Sequence, residues 1–372
     1  MKKVAIVGFG NTKFTKDELP IESLLLESTK QVFDTTKNLS QDLIDGVIVS
    51  TNDNSKYLGA ILSELSGIKP KISHTVEHLC SSGSSAVISG FSYIASGLAD
   101  TVLVTGADKI GNPGQILEWD KSRGEYNHPI YWASMFTKAH KRQFHTTDEE
   151  LAIVSAKNHK QAMDNPNAYS HKPYTISEIM NSKNVTDDLR ILDCSYSCSG
   201  SSSILLTSEE NAKKFTDEPI WISGIGQKTN SASFTKNELT TLSSTVEATN
   251  DAYKMAKTTP KEIDIAEIHD AFSVCELMAV EDLSLTEKNT GASYVRNLFN
   301  TEDRKINPRG GLIGAGHPLG ATGISQIVEI TQQLQNNARK RQISNAKKGL
   351  VHNMSAAATS STVLVFESWI NL

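Results

Sequence analysis

The chain has 372 residues, 38% of them apolar and 21% charged, with a net charge of -5. That length suggests roughly two domains of about 150 residues each, with ample chain for a large core. The composition excludes disordered, collagenous and coiled-coil classes, and the acidic balance argues against a nucleic-acid partner.

The chain opens on MKKVAIVGFG. Its apolar run is too short for a signal peptide, so Val4 to Val7 is expected as a buried strand. Pro20 to Phe33 carries Ile21, Leu24, Leu25, Val32 and Phe33 at helical spacing. Val47 to Val49 reads as the next strand, Ser81 to Leu98 as a helix and Thr101 to Thr105 as another strand. This β-α-β-α order predicts an α/β fold. From about 110 to 190 the pattern breaks into a polar stretch rich in His, Lys and Asn. Two capping boxes, Thr147 with Glu150 and Thr175 with Glu178, predict helix starts there. An insertion of this length is expected to be a lid or ligand-binding excursion. Strand-like residues resume at Ile191 and at Ile204 to Leu206.

A second round begins at Pro219 with PIWISG, which parallels the opening strand. Thr245 to Lys257 is helical, and IDIAEIHD (263–270) parallels IDGVIVST (44–51). Both rounds then place a reactive turn, at Cys80 and at His317, before a helix of small residues. The expectation is a structural duplication, with units at 1–216 and 217–372.

Four segments could carry chemistry. Cys80 stands before a helix of Ser, Gly and Ala, whose weak intrinsic propensity demands close packing. A thiol at that N-terminus meets free N–H groups and the positive end of a helix dipole, which favour thiolate. The alternative is an inert, buried Cys. NPRGGLIGAGHPLGATG (307–323) holds His317 in a glycine-rich turn, where packing alone explains a His poorly. EIHDAF (267–272) puts His269 and Asp270 at the C-terminal end of a buried strand, where α/β folds hold active residues. A hydrogen-bonded structural His is the competing reading. GLVHNMSAAATSSTVLVF (349–366) ends a strand at His352 and Asn353 and leads into a Ser/Ala loop that can offer N–H groups to an oxyanion. It could equally be a tight structural turn.

Other features carry less. Gly8 and Gly10 lack the third Gly of a dinucleotide fingerprint. No P-loop or G-x-S-x-G elbow occurs. Cys194 and Cys198 have no second pair, so no metal site is expected. Lys138, Lys141 and Arg142 form a basic run that could meet phosphates. No stretch reaches about 18 apolar residues, so no membrane span is expected. Four Cys are too few for a disulfide framework, which suggests a cytoplasmic location.

Cys80-Ser-Ser-Gly, HDAF and GGLIGAGHPLGATG, in this order, resemble the thiolase family nearly end to end. HDAF in place of NEAF is similar to the archaeal and sterol-carrier-type acetyl-CoA acetyltransferases. The resemblance implies two βαβαβαββ halves in a five-layer α-β-α-β-α sandwich, with the excursion covering coenzyme A. It implies that 2 acetyl-CoA are interconverted with acetoacetyl-CoA and CoA, in lipid metabolism, with CoA thioesters as substrates and no permanent cofactor. By resemblance Cys80 is the nucleophile that becomes acylated. His317 activates it and, with Gly316 beside it, lines an oxyanion hole. His269 polarises the second thioester. The N–H of Cys80 and one from the loop at Ser355, beside Asn353, form another oxyanion hole. The family also implies a homodimer or homotetramer. In the archaeal subgroup it implies a complex with HMG-CoA synthase and a small zinc-ribbon/OB-fold protein.

Two family positions differ. The C-x-G of degradative thiolases is Asn353-Met354-Ser355 here, and the Cys of the sterol-carrier HDCF motif is Ala271. Cys275, one helical turn further on, is a candidate replacement acid/base. Ser199 stands where an Asp is usual. Two other functions stay open: a decarboxylating 3-ketoacyl synthase-like enzyme, and a non-catalytic acyl-CoA-binding subunit.

Overall fold

A computed structural model describes residues 2–110, 124–233, 236 and 238–368. The strands are β1 (Val4–Asn11), β2 (Gly46–Ser50), β3 (Ile72–Val76), β4 (Thr101–Asp108), β5 (Asn184–Thr186), β6 (Leu189–Arg190), β7 (Gly200–Ser208), β8 (Ile220–Thr229), β9 (Ile265–Glu267), β10 (Lys348–Ser355) and β11 (Ser360–Glu367). The helices are α1 (Ile21–Thr35), α2 (Leu58–Ser66), α3 (Ser82–Ala95), α4 (Pro129–Phe144), α5 (Asp148–Ala162), α6 (Ile176–Met180), α7 (Glu209–Phe215), α8 (Ser243–Ala256), α9 (Ser273–Asp282), α10 (Gly291–Thr301), α11 (Gly311–Ala315) and α12 (Leu319–Leu334).

The described strands other than β5 and β6 form one sheet, ordered β3-β2-β4-β7-β1-β8-β11-β10-β9. Outward from the central β1–β8 pair, both sides run in the same chain order. β1 is followed by β7, β4, β2 and β3. β8 is followed by β11, β10 and β9, and Ile306, bridged in parallel to Ala266, takes the place of β3. The pairing senses also match. β4–β7 and β10–β11 are antiparallel, while β2–β4 and β9–β10 are parallel. The duplication expected from the sequence is therefore present in the hydrogen bonding.

Helix α12 packs on β4 and β7 of the first half and on β9 and β10 of the second, and α3 lies against it. These two helices form the middle layer. Helices α1 and α2 cover the outer face of the first half, and α8 covers that of the second. This is the five-layer α-β-α-β-α fold. Side-chain alternation along β1 follows the layers. Val4 and Ile6 join the middle core with Ala86, Val87, Ile324 and Ile327, while Ala5 and Val7 join the outer core with Leu24 and Leu25. Packing overrides the weak propensity of α3, as expected. A Cβ on Gly83 would sit 2.9 Å from the Gly320 carbonyl oxygen, so only glycine lets the two helices approach this closely.

Residues 111–123 of the expected excursion lie outside the described residues. Both expected capping boxes are formed, at Thr147–Glu150 and Thr175–Glu178. Within the polar stretch, most of α5 is buried, packed against α6, α9, α10 and α11. Lys157 and Asn158 find partners inside: Lys157 pairs with Glu276 at 3.0 Å, and the Asn158 amide donates to Asp270 at 2.7 Å. Ile191 departs from expectation. It opens a short 3₁₀ turn, Ile191–Asp193, closed by the Asp193 carboxylate on the Arg190 N–H at 2.9 Å. Among the described residues no helix is long and apolar enough to cross a membrane.

Candidate active site

Cys80 lies in a tight turn between β3 and α3 and is 6% exposed. Leu79 before it has φ +49°, a conformation that costs an ordinary residue about 1 kcal/mol or more. Local hydrogen bonds hold this strain. The Ser82 hydroxyl donates to the Leu79 carbonyl at 2.7 Å and accepts from the His78 N–H at 2.7 Å. The second half reaches in as well. Ser355 Oγ donates to the His78 carbonyl at 2.6 Å and accepts from the Ser81 N–H at 3.3 Å.

His317 arrives from the second half on the turn between α11 and α12. Gly316 has φ +97°, and a Cβ there would lie 2.8 Å from Cys198 Sγ. The start of α12 is tied to the first half: the Asp108 carboxylate accepts the Gly320 N–H, and Ser50 Oγ donates to the Gly320 carbonyl at 2.8 Å. Burial pushes Asp108 up to about 6. His317 Nδ1 lies 2.7 Å from Thr322 Oγ1, and Nε2 lies 3.2 Å from Cys80 Sγ. Burial, and then the charge of Arg309, lower His317 to about 3. A neutral imidazole beside a thiol is the arrangement a general base needs.

His269 is fully buried at the end of β9. Its ring meets that of His317 edge-on, with centroids 5.2 Å apart. Burial and the two neighbouring histidines hold it well below the usual imidazole range. Its Nδ1 has no hydrogen-bond partner among the described residues. His352 stands behind it, with Nδ1 3.5 Å from the His269 N–H and Nε2 3.0 Å from Thr245 Oγ1. Asp270 turns the other way. Its carboxylate accepts the N–H groups of Leu312 (2.6 Å) and Ile313 (3.3 Å) and the Asn158 amide (2.7 Å). It thereby fixes α11, which leads into His317. One ligand atom each from Cys80, His269 and His317 lie within 4.8 Å of one another.

Residues 4–188 match the family described as "Thiolase, N-terminal domain", and residues 226–368 match "Thiolase C-terminal domain-like". An acetyl-CoA acetyltransferase of Methanothermobacter thermautotrophicus is 33% identical, over 98% of this chain and all of the relative. The chain belongs to the thiolase family. It is an acyltransferase by that membership. Two solved structures share the fold. A chain named Ltp2-ChsH2(DUF35) aldolase has a TM-score of 0.87 at 21% identity, covering 98% of both chains. Human mitochondrial 3-ketoacyl-CoA thiolase in complex with CoA has a TM-score of 0.77 at 18% identity, covering 99% of this chain and 98% of that one.

The thiolase fold brings Cys80, His317 and His269 together, with Ser355 bonded to the Cys80 turn and Gly316 shaping the His317 turn. The Asn353 amide donates to Gln326 on α12, and a Cβ on Gly323 would meet its Oδ1. Cys275 is fully buried in the first turn of α9, and burial pushes its thiol far up, with Cys80 among the contributing groups. Of the three basic residues on α4, Lys141 is held by Asp148 at 2.7 Å, while Lys138 and Arg142 are exposed. Ser199 Oγ accepts the Ile110 N–H at 2.8 Å.

Sequence reasoning gave no role to Thr322 or Asp108. A hydroxyl five residues after His317, in the first turn of α12, is the signal for Thr322. Asp108, at the end of β4, carries no local signal. Nor does the Ser355 turn show its backbone in sequence. Ala356, Ala357 and Ala358 all have positive φ, are buried, and donate no N–H to the described residues.

Proposed function

We propose that this thiolase interconverts two acetyl-CoA with acetoacetyl-CoA and CoA through an acetyl-Cys80 intermediate. The observation that carries the reading is the 3.2 Å approach of His317 Nε2 to Cys80 Sγ. The name of the archaeal relative supports the substrate.

His317 takes the Cys80 proton as the thiolate attacks the thioester carbonyl of the first acetyl-CoA. The C–S bond to CoA breaks, and CoA leaves with that proton. A base removes an α-proton from the second acetyl-CoA, and the enolate carbon attacks the acetyl-Cys80 carbonyl. The bond to Cys80 breaks, returning the thiolate. His269 supports the second thioester oxygen. The N–H groups of Cys80 and the 355–358 turn face the oxyanion of the acyl step, where one donor is typically worth about 3 kcal/mol. Cys275 is the acid of the carbon–carbon bond step in the thiolysis direction, where it protonates the departing enolate carbon. Burial pushes its thiol far up, which keeps it protonated for that role. Lys138 and Arg142 meet CoA phosphates, and no resident cofactor takes part.

A thiolysis assay with acetoacetyl-CoA and CoA tests this. Cys80→Ala abolishes turnover, and Cys275→Ala slows it with Cys80 still acylated. Equal rates in wild type and Cys80→Ala refute the assignment. The poised His317 favours catalysis over a non-catalytic subunit. A decarboxylating synthase would instead require a malonyl thioester and release CO2.

We also place the unit boundary in the turn between α7 and β8, giving 1–216 and 217–372. Four free thiols fit a reducing cytoplasm. A homo-oligomer in lipid metabolism follows from the family reading. The aldolase neighbour carries a joined pair of names, Ltp2 and ChsH2(DUF35). That pairing supports a further protein partner, such as the zinc-ribbon/OB-fold subunit and HMG-CoA synthase.

A further inference from the structure

Among the described residues, Cys80, His269 and His317 form the one group of three His, Cys, Asp or Glu donors with ligand atoms this close. We propose that these three side chains bind a soft divalent transition metal of the Zn2+ class, and that the bound ion inhibits the enzyme reversibly.

The donor set carries the argument. One thiolate and two imidazoles suit Zn2+, and three protein ligands leave a fourth position open. A tetrahedral ion bonded at about 2.3 Å to sulfur and about 2.0–2.1 Å to nitrogen needs its donors roughly 3.4–3.6 Å apart. His317 Nε2 and Cys80 Sγ already stand 3.2 Å apart, and no pair exceeds 4.8 Å. The widest pair has at most about 1.4 Å to close.

The protonation states fit too. Metal ligands must present lone pairs. Thr322 engages Nδ1 of His317, which leaves Nε2 facing the thiol. His269 is buried to 1% exposure, with Nδ1 unpartnered. There is no hydrogen bond among the described residues to break at that nitrogen. Coordination also breaks the Cys80 S–H bond: the sulfur keeps the electron pair and the proton passes to solvent. No oxidant or reductant is needed. The acyl carrier and its base are then both blocked. The inhibition, though not the binding, rests on the reading of Cys80 as acyl carrier.

Co2+ is the direct probe, because a cobalt thiolate absorbs through sulfur-to-metal charge transfer. Chelator-treated protein is titrated with Co2+ alone, then with Zn2+. The expected result is one equivalent of Co2+ with a charge-transfer band and the intense visible bands of a tetrahedral ion, bleached by Zn2+. Cys80→Ser loses the charge-transfer band, and His269→Asn binds at least tenfold more weakly while remaining folded by circular dichroism. Zn2+ also protects Cys80 from iodoacetamide until a chelator is added. A titration without a thiolate band overturns the proposal, as does a band that survives in Cys80→Ser. The band needs no turnover. A bound metal in protein that never acylates Cys80 would therefore defeat the thiolase reading alone, and active enzyme without the band would defeat the metal site alone.

Discussion

Thr322 fixes the tautomer of His317. Its Oγ1 donates to the Pro318 carbonyl at 2.9 Å and lies 2.7 Å from His317 Nδ1. A hydroxyl has one proton, and this one is already committed. Nδ1 must therefore carry hydrogen and donate to Thr322, which leaves Nε2 as the lone pair facing Cys80.

Removing that acceptor is the first test. Thr322→Val keeps the shape but strands a buried Nδ1–H and frees the ring to rotate. Turnover should fall by about ten- to a hundredfold, less than the roughly 10²–10⁴-fold that losing a positioned base outright would cost, because the base itself remains. The KM for acetyl-CoA should change little, and Thr322→Ser should restore most of the rate. An unchanged rate in Thr322→Val would show that the tautomer is set by something else.

The second concerns pH. Burial lowers His317 from the usual 6.5 to about 3. A base with a depressed pKa stays in its active, neutral form as pH falls through 6.5. The acid limb of kcat/KM for thiolysis is therefore expected well below 6.5. A limb centred at 6.5 or above would mean that His317 titrates as if exposed.

Gly316→Ala probes the turn itself. The new Cβ meets Cys198 Sγ at 2.8 Å, in a backbone region with φ +97°. Strain of this kind costs about 1–3 kcal/mol. Thermal melts should show that loss, and Cys80 alkylation should slow because His317 is displaced. Wild-type melting and alkylation together would contradict the geometry.

His159 gives a stability prediction away from the chemistry. It is fully buried on α5, neither ring nitrogen has a partner among the described residues, and burial lowers it to about 4. Its folded pKa lies below the unfolded value near 6.5. The neutral ring is therefore tolerated above 6.5, and stability is lost as pH falls from 6.5 toward 4. His159→Phe keeps the edge contacts with Tyr174 and Tyr196 and removes the unpaired nitrogens. It should stabilise by about 1–3 kcal/mol and flatten that part of the pH profile in urea titrations. A destabilised variant would point to a hydrogen-bonding role for the ring.

The contrast between Cys80 and Asp108 shows what sequence makes legible. Cys80, His269 and His317 each sit in a local pattern, at a strand end or in a glycine-rich turn, and the repeated order of elements predicts the halves that bring them together. Asp108 reaches the start of α12 across 212 positions, and Ser355 reaches His78 across 277. No spacing rule connects residues so far apart. Composition also leaves the burial of Lys157 and Asn158 on α5 unread. Glu276 and Asp270 pair with them in the interior, and those partners lie over a hundred residues away. The αL run at 356–358 was equally hidden, because alanine carries no signature for positive φ.

The central claim is that Cys80 carries the acyl group. Acetyl-CoA alone is mixed with the protein, the reaction is quenched in acid, and peptides are mapped by mass spectrometry. The account predicts a single acetyl thioester on the Cys80 peptide, absent from Cys80→Ser and discharged by added CoA. An unmodified Cys80, or acetyl found on Cys275 instead, would contradict it.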